Sequence, residues 1–513
     1  MPNAALKNQN PVALGAARTR AFVALGAALA LAGCDLTWEK PEASLTPPER
    51  FREARPKPAP SIHSARAFVE RFGSKELTRI VDEALENNYD IAAAAARILE
   101  ADAQARVSSA PLFPTLNNVN TFQRTQVPST AEVSSSGAAS SSSSSSTSAT
   151  RTNLYKLGLT ASYTLDFWGV NEDASKAARL LANASHFDRD VVEITTVAAA
   201  LNSYFQIVNA QDQLRIAHEN VHTAREVLNA LQARLEVGTA TVLDTAQQET
   251  VLDNQLASIP PLEQTLAQQR NLLAVLLGRT PESFTTHGVT LKTLHFPKIE
   301  PGLPSEVLLR RPDLAEAEAK LASQEFSVLQ ARAAFFPQIT LTGQYGVQSI
   351  VWKNLTTPQA VAWQVLASTT QPLFDGWNLQ GQYELQKGKY AELTANYRKQ
   401  ALTALSDTEN ALIAIAQNGR QLRLQEDSVD AARRALTAAQ ARLREGTIDV
   451  VTLATTETAY FQAQTSLEQV RLTYFEAATS FYQALGGGWS PTTREAEITR
   501  ADQAFMADRG PWP

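Results

Sequence analysis

The sequence has one cysteine, Cys34, in 513 residues. No intrachain disulfide can form, and no cysteine-rich zinc site can be built. An excess of basic charge is also missing: 46 basic against 52 acidic residues leave a net charge of -6. That balance gives no electrostatic footprint for nucleic acid, so no nucleic-acid partner is expected. No Gly-rich phosphate loop of Walker type is present, and the chain is not expected to hydrolyse nucleotide. Six histidines and no nucleophile-elbow motif give no basis for a Ser-His-Asp site. No cofactor is expected. Beyond residue 33 no segment holds eighteen consecutive apolar residues, so no transmembrane helix is expected in the mature chain. Hydrophobic residues at 44% and charged residues at 19% exclude a wholly disordered chain. The length allows two to four domains and a large core. Alanine and glutamine are abundant, which suits long helices.

The N-terminus reads as an address. Lys7, Arg18 and Arg20 precede an apolar run from Ala21 to Ala32, about the length of a signal-peptide core and too short to span a bilayer. The run ends in Leu31-Ala32-Gly33-Cys34, which looks like a bacterial lipobox. Residues 1–33 are then a lipoprotein signal peptide, and Cys34 carries the lipid that anchors the chain to a leaflet. Residues 34–75, rich in Pro, Arg and Glu, read as a tether.

An internal duplication organises the rest. Asn88-Tyr89-Asp90-Ile91-Ala92 is echoed by Arg311-Pro312-Asp313-Leu314-Ala315, and Leu112-Phe113-Pro114 by Phe335-Phe336-Pro337, at an offset of 223. Ala233-Arg234-Leu235-Glu236-Val237-Gly238-Thr239 matches Ala441-Arg442-Leu443-Arg444-Glu445-Gly446-Thr447, and Leu277-Gly278 matches Leu485-Gly486, at an offset of 208. The offset changes across a Ser-rich loop at 128–150 that only the first copy has. Apolar residues recur every seven from Leu214 through Val221 and Leu228 to Leu235, with Ala217, Ala224 and Leu231 in the second seam position. Leu422, Val429, Leu436 and Leu443 repeat the pattern. This is coiled-coil packing. The first helical run, from about 172 to 236, is roughly 95 Å at 1.5 Å per residue. Each half is expected to carry a helical hairpin that turns at Gly238 or Gly446, with a kink at Pro260-Pro261 in the first return helix.

Between the helices lie alternating segments. Tyr155, Leu157, Leu159, Ala161, Tyr163 and Leu165 alternate with small polar residues, as do Ile339, Leu341, Gly343, Tyr345 and Val347. Val361, Trp363 and Val365 continue the theme; residues 112–124 alternate less clearly. Ten to thirteen residues span an outer membrane when tilted. Alternation alone also fits a water-soluble sheet with one buried face. Counting favours the membrane reading only for an oligomer. Four strands cannot close a barrel, and lipid does not tolerate open edges.

Duplication, hairpins and strand pairs together resemble the outer membrane factors of tripartite export systems, the TolC-like proteins. The lipoprotein branch often labelled NodT-type is the most similar. The resemblance covers nearly all of residues 34–489. It is sharpest at Gly302-Leu303-Pro304-Ser305-Glu306, Arg310-Arg311-Pro312-Asp313-Leu314, Ala334-Phe335-Phe336-Pro337-Gln338-Ile339, Ile259-Pro260-Pro261-Leu262-Glu263 and Tyr482-Gln483-Ala484-Leu485-Gly486-Gly487-Gly488-Trp489. It implies a chain that is mainly α with membrane β. Three copies would form a twelve-stranded outer membrane β-barrel from strands in 112–167 and 337–374. Residues 76–111, 170–278, 305–335 and 378–486 would form a periplasmic α-barrel. Residues 279–304 and 487–513 would be equatorial or linker segments.

The implied function is an exit duct for drugs or other small toxic molecules, with no bond made or broken. The implied partners are two further copies of the chain, a periplasmic adaptor protein, an inner-membrane pump of the resistance-nodulation-division type, and membrane lipid through Cys34. A protein-secretion duct is the alternative within transport. Val237-Gly238-Thr239 matches the family's adaptor-docking tip. Glu445-Gly446-Thr447 keeps the Gly-Thr and departs at its first position. Family ducts are constricted near the tips, often by acidic rings set about six and nine residues after the tip glycine. Asp244 and Gln247 occupy those positions in the first hairpin, Thr452 and Thr455 in the second. Asp427 and Asp430 are candidate substitutes in a gate with Asp244.

Two readings from other classes stand beside this one. His218-Glu219-Asn220-Val221-His222 matches H-E-x-x-H, a zinc peptidase signature when both imidazoles share a helix face. However, Val221 belongs to the coiled-coil seam, and Glu426 and Asp430 stand at the equivalent positions of the second half. No metal site is therefore expected. A periplasmic coiled coil that only tethers envelope layers is the other reading.

Overall fold

The computed structural model describes residues 38–48, 50–52, 64–127, 150–285, 289–298 and 303–490. Residues 1–33, Cys34, nearly all of the Ser-rich loop at 128–150 and parts of 34–75, 279–304 and 487–513 lie outside the described residues.

Two repeats follow one another. The first runs α2 (Lys75–Asn87), α3 (Tyr89–Ser109), β1 (Thr115–Val127), β2 (Thr150–Leu165), α4 (Val170–Glu236) and α5 (Val242–Leu276), after a short α1 (Ala65–Val69). The second runs α6 (Pro304–Leu309), α7 (Pro312–Ala333), β3 (Gln338–Ser349), β4 (Val361–Thr370), α8 (Asn378–Arg444) and α9 (Val450–Ala484). The chain is thus mainly helical with one small sheet, as heptads and alternation predict. Helices α4 and α8 have 67 residues each, α5 and α9 have 35 each, and every one of their ends keeps the offset of 208. One window of α4 is long and apolar enough to cross a bilayer by composition, but 56% of it is buried against protein. A core helix gives the same signal.

The chain divides into two compact units. One comprises residues 102–180 and 322–392 with the chain up to Pro41, and holds all four strands. The sheet is antiparallel in the order β1-β2-β3-β4. In the helices of this unit, polar pairs join buried apolar residues such as Val328, Tyr383 and Tyr390: the Ser109 and Ser175 hydroxyls lie 2.6 Å apart, and Ser323 donates to the Ala177 carbonyl at 2.8 Å. Such small residues let helices approach closely.

The other unit comprises residues 42–101, 181–321 and 393–513. Its main core is aromatic. Phe72 packs on Phe205 and Phe475, and Phe68 stacks on Tyr482 at 4.7 Å between ring centres. Each such ring contributes about 1.5–3 kcal/mol on burial. Burial pushes the Tyr204 phenol up to about 12 and raises the Tyr482 phenol as well, so both stay neutral. Ser74 caps α2 by accepting from Leu77 N at 3.2 Å. Asn88 caps α3 by accepting from Asp90 N and Ile91 N, while α7 opens on Pro312, which has no donor to satisfy.

The Leu-Gly pairs found by sequence have a steric cause. Gly278 and Gly486 follow α5 and α9 with φ of 67° and 78°. A Cβ on either would strike a backbone carbonyl, that of Asn87 or that of Arg310, which are themselves repeat equivalents. Pro260 and Pro261, expected to kink α5, lie inside it without ending it. Segments between the helices are pinned to them. Leu291 N donates to Asp212 Oδ2 at 3.0 Å, Phe296 stacks on Tyr474 at 3.8 Å, and Trp489 Nε1 donates to Asp190 Oδ2 at 2.9 Å.

Candidate functional site: an open sheet and two hairpin tips

The sheet sorts its side chains by face. Across β1 and β2, Leu116 pairs with Ala161 and Phe122 with Tyr155. Across β2 and β3, Leu157 pairs with Val347 and Leu159 with Tyr345; across β3 and β4, Tyr345 pairs with Trp363 and Gly343 with Val365. One face is therefore mainly aliphatic and aromatic across β2, β3 and β4, while β1 brings Asn118 and Asn120 onto it between Leu116 and Phe122; Tyr345, Phe122, Trp363 and Val365 on it are exposed. A contiguous exposed apolar face of this kind needs a non-aqueous neighbour. The opposite face carries Lys156, Thr160, Ser162, Thr342 and Gln344, with Lys156 Nζ donating to Gln344 Oε1 at 2.8 Å. Within the described residues, β1 and β4 each pair on one side only.

Aromatic rings gather where strands meet helices. Trp168 stacks on Phe336 at 4.7 Å, and its Nε1 donates to the Pro337 carbonyl at 2.9 Å. Phe167, just before α4, and Phe374 and Trp377, just before α8, are exposed. Rings with an apolar body and a polar edge suit a membrane–water boundary. Trp377 holds φ at 69°, where the first repeat has Gly169 with φ of 85°. The strain at Trp377 was not legible from composition or spacing.

Both hairpins turn in the same way. Gly238 and Gly446 have φ of 74° and 73°. Gly238 N donates to Leu235 O and Thr239 N to Arg234 O; Gly446 N donates to Leu443 O and Thr447 N to Arg442 O. This is the Schellman ending, which satisfies carbonyls left free at the helix end. Each threonine hydroxyl adds a bond to the same carbonyl at 3.1 Å. A Cβ on either glycine would meet open space, so φ alone calls for glycine here. The first tip exposes aliphatic side chains, with Val237 at 73% exposed and Val242 and Leu243 close behind. The second presents an exposed Glu445 in place of valine.

Asp244 does not stand free. It closes a capping box with Thr241, accepting from Thr241 N and Thr241 Oγ1 at 2.8 Å each. Asp449 caps α9 by accepting from Thr452 N at 2.8 Å, and those bonds hold its carboxyl below the usual carboxylate range. Asp427 and Asp430 are exposed on α8, at least sixteen residues before Gly446. At 1.5 Å per residue that is about 24 Å of helix, whereas Asp244 lies within two turns of Gly238. The structure thus does not gather the three acids at one level of the hairpins.

Sequence reasoning missed two features. Arg234 donates to the carbonyls of Leu443 at 3.1 Å and Arg444 at 3.4 Å, which ties one tip to the other. Gln248 and Glu457 are both fully buried, and Gln248 Nε2 donates to Glu457 Oε2 at 2.9 Å. The cap at Thr241-Val242-Leu243-Asp244 was legible, because a threonine three residues before an acid marks a helix start.

The zincin pattern fails on geometry. His218, Glu219 and His222 are exposed, Glu219 is held by Arg215 at 3.1 Å, and Val221 is buried in the seam. No group of three His, Cys, Asp or Glu converges among the described residues.

Comparisons with known proteins bear on the same features. Residues 80–279 and 303–487 match the family described as "Outer membrane efflux protein". The chain is 33% identical over 467 residues to the pyoverdine export outer membrane protein OpmQ of Pseudomonas aeruginosa, covering 91% of this chain and 96% of that one. It is 29% identical to the probable outer membrane lipoprotein SilC of Salmonella typhimurium, covering 90% and 96%. Among solved structures, the open-state MtrE outer membrane channel of Neisseria gonorrhoeae superposes with a TM-score of 0.75 at 26% identity, covering 88% and 98%. The outer-membrane channel OprN shares the fold, with a TM-score of 0.79 at 24% identity, covering 89% and 100%. The family is one of efflux proteins and not of enzymes, which removes the peptidase reading.

Proposed function

The chain belongs to the outer membrane efflux protein family, and from that premise we propose that it is the lipid-anchored, trimeric exit duct of a tripartite efflux system for small molecules. The observation that carries this reading is the four-stranded sheet with a mainly apolar face and two edges that are unpaired among the described residues. In hydrocarbon each unpaired backbone group costs several kcal/mol, so the edges need partners. Three copies supply twelve strands, an even number within the range of closed outer membrane barrels. The strands within 112–167 and 337–374 then lie in the outer membrane, and the helices line a periplasmic passage. Residues 279–304 and 487–513 form a belt, and the signal peptide at 1–33 is removed so that Cys34 carries the anchor.

The tips at Val237-Gly238-Thr239 and Glu445-Gly446-Thr447 are the adaptor-docking points. The exposed aliphatics of the first tip support that role. Asp244, Asp427 and Asp430 are candidate gate acids, and the capping role of Asp244 fixes its carboxylate near the tip. The pump is of the resistance-nodulation-division type. Small solutes are the cargo; a relative named for pyoverdine export supports that class over proteins.

The test is crosslinking in living cells from a photo-reactive residue that replaces Thr239. Capture of an adaptor that works with a resistance-nodulation-division pump is expected. An adaptor joined to a transport ATPase would move the reading to protein export. A correctly inserted trimer that captures no adaptor would remove the docking assignment.

A further inference from the structure

Charge changes sign along the strands. No Asp or Glu stands in any of the four strands, or in the turn at 350–360 between β3 and β4. The connection between β1 and β2, at 128–149, carries one acid, Glu132. The cations of the strands and of that turn are Arg124, Arg151, Lys156 and Lys353, all toward the end away from the long helices. At the helical end the first acids are Asp166 and Asp375, and both are committed to helix starts. Asp166 Oδ2 accepts from Glu172 N at 2.6 Å, and Asp375 Oδ2 from Leu379 N at 2.8 Å.

The register assigns the strand cations to faces. Residues two apart on a strand share a face, and so do residues directly opposite across a ladder. Arg124 follows Phe122 by two, and Arg151 stands opposite Gln126, which follows Arg124 by two. Both arginines therefore lie on the face that holds Phe122, Tyr155 and Leu157. They are diagonal neighbours, about 7–8 Å apart. Both are exposed, and the strands offer neither a carboxylate. Arg151 Nε donates to Gln126 Oε1 at 2.9 Å, which holds the guanidinium against β1. Lys156 is on the opposite face and donates to Gln344.

Their level follows from the same face. Its apolar stretch on β2 runs from Leu165 to Tyr155, about 33 Å along the strand. At a tilt of about 40° that covers roughly 25 Å of bilayer, the height of the apolar band of an outer membrane barrel. Rings close the stretch at its far end: Phe122 stacks on Tyr155 at 4.9 Å, and Trp352 meets Tyr155 edge-on at 5.3 Å. Such rings mark a membrane–water boundary. Arg124 is one step of the face beyond Phe122, and Arg151 two steps beyond Tyr155. Lys353 is exposed beside Trp352.

We propose that Arg124 and Arg151 bind the phosphate groups of a phosphorylated glycolipid in the outer leaflet of the outer membrane. This rests on the outer membrane reading above, in which the helices are periplasmic and the opposite end of the strands faces outward. The arginines then stand at headgroup level on the lipid side of the sheet. A phosphate monoester on a sugar carries close to two charges at neutral pH, and a phosphodiester headgroup carries one. Two adjacent guanidinium forks without acids match the dianion in charge and in geometry. The rings below them take the start of the acyl chains. Lys156, facing the other way, takes no part.

The experiment uses the full-chain trimer in neutral detergent after lipid exchange. Bisphosphorylated lipid A is added, and bound lipid is counted by native mass spectrometry. Wild type is expected to bind it. Arg124→Gln with Arg151→Gln is expected to weaken binding about tenfold or more. Arg124→Lys with Arg151→Lys, which keeps the charge and loses the fork, is expected to fall between, and it serves alone if the first pair does not assemble. Lys156→Gln is expected to leave binding unchanged. An equal loss in Lys156→Gln would mean that binding follows net charge, and it overturns the assignment to this face. Equal binding of dephosphorylated lipid A overturns the phosphate contact, and equal binding of phosphatidylglycerol overturns the glycolipid. Displacement of lipid A by millimolar inorganic phosphate would leave an anion site only. An unboiled wild-type trimer that binds no lipid A overturns the proposal and leaves the duct standing. A wild type that forms no trimer overturns the duct reading, and the proposal with it.

Discussion

Glu457 sits fully buried beside an amide, and two oxygens there have no donor: Gln248 Oε1 and Glu457 Oε1. Val221, Ala224 and Leu228 on α4, Val251 and Leu252 on α5 and Phe461 on α9 make the surroundings apolar. Burial pushes the Glu457 carboxyl up, against the smaller opposing effect of the Gln248 bond. A proton on Oε1 would let an acid face an amide with every atom used. The sign follows. A raised folded-state pKa gives stability that is full in acid and is lost as pH rises through that pKa. Glu457→Gln is expected to remove this loss and to raise stability at neutral pH by about 1 kcal/mol or more. Thermal unfolding of the helical signal in detergent, followed between mild acid and neutrality, checks it. A wild type that gains on the variant as pH rises would contradict the assignment. Asp244 tests the cap in the same way. Asp244→Ala is expected to cost about 1 kcal/mol and to raise hydrogen exchange in the first turn of α5, whatever its effect on gating. An unchanged exchange rate there would mean that the capping box contributes nothing.

Elements obey the repeat more strictly than sequence identity suggests. Gly278 and Gly486 share a positive φ and a carbonyl in the space a Cβ would need. Gly278→Ala and Gly486→Ala are each expected to destabilise by several kcal/mol, since φ strain and the clash add. The same change at Gly238 meets open space and should cost only about 1 kcal/mol of φ strain. Ranking the three by unfolding temperature checks the steric argument. Helices, turns and face-sorting of the strands were legible because they rest on periodicity and glycine placement, which are local. The heptads from Leu214 and Leu422 and the alternation from Tyr155 and Ile339 carry that information outright. Arg234, Glu457 and Trp377 were not legible. Their roles depend on which hairpin or strand end lies alongside, and no spacing along one helix encodes that. The H-E-x-x-H match, set aside in the sequence because Val221 belongs to the seam, shows the converse: its spacing is local and correct, but the residues face solvent and an arginine.

For the whole molecule, the lipid attachment and the barrel closure proposed above are expected to be separable. Replacing Cys34 removes the only thiol in the chain. Cys34→Ser is expected to abolish incorporation of labelled fatty acid and still to yield unboiled trimers, because the sheet edges supply the drive to assemble. Loss of trimer in that variant would show that the anchor, and not strand closure, brings the copies together. Equal helix lengths have a further consequence. Four arms of two matched sizes, 67 and 35 residues, reach two tips of the same design. A deletion in one arm would leave its tip behind its neighbours and out of phase with the heptads. Seven residues taken from all four arms would keep the phase and draw every tip back by about 10 Å. The hairpins are in this sense a ruler. If the chain is the duct proposed above, the reach of its hairpins is written into it four times over, and is expected to tolerate editing only in steps of two helical turns made everywhere at once.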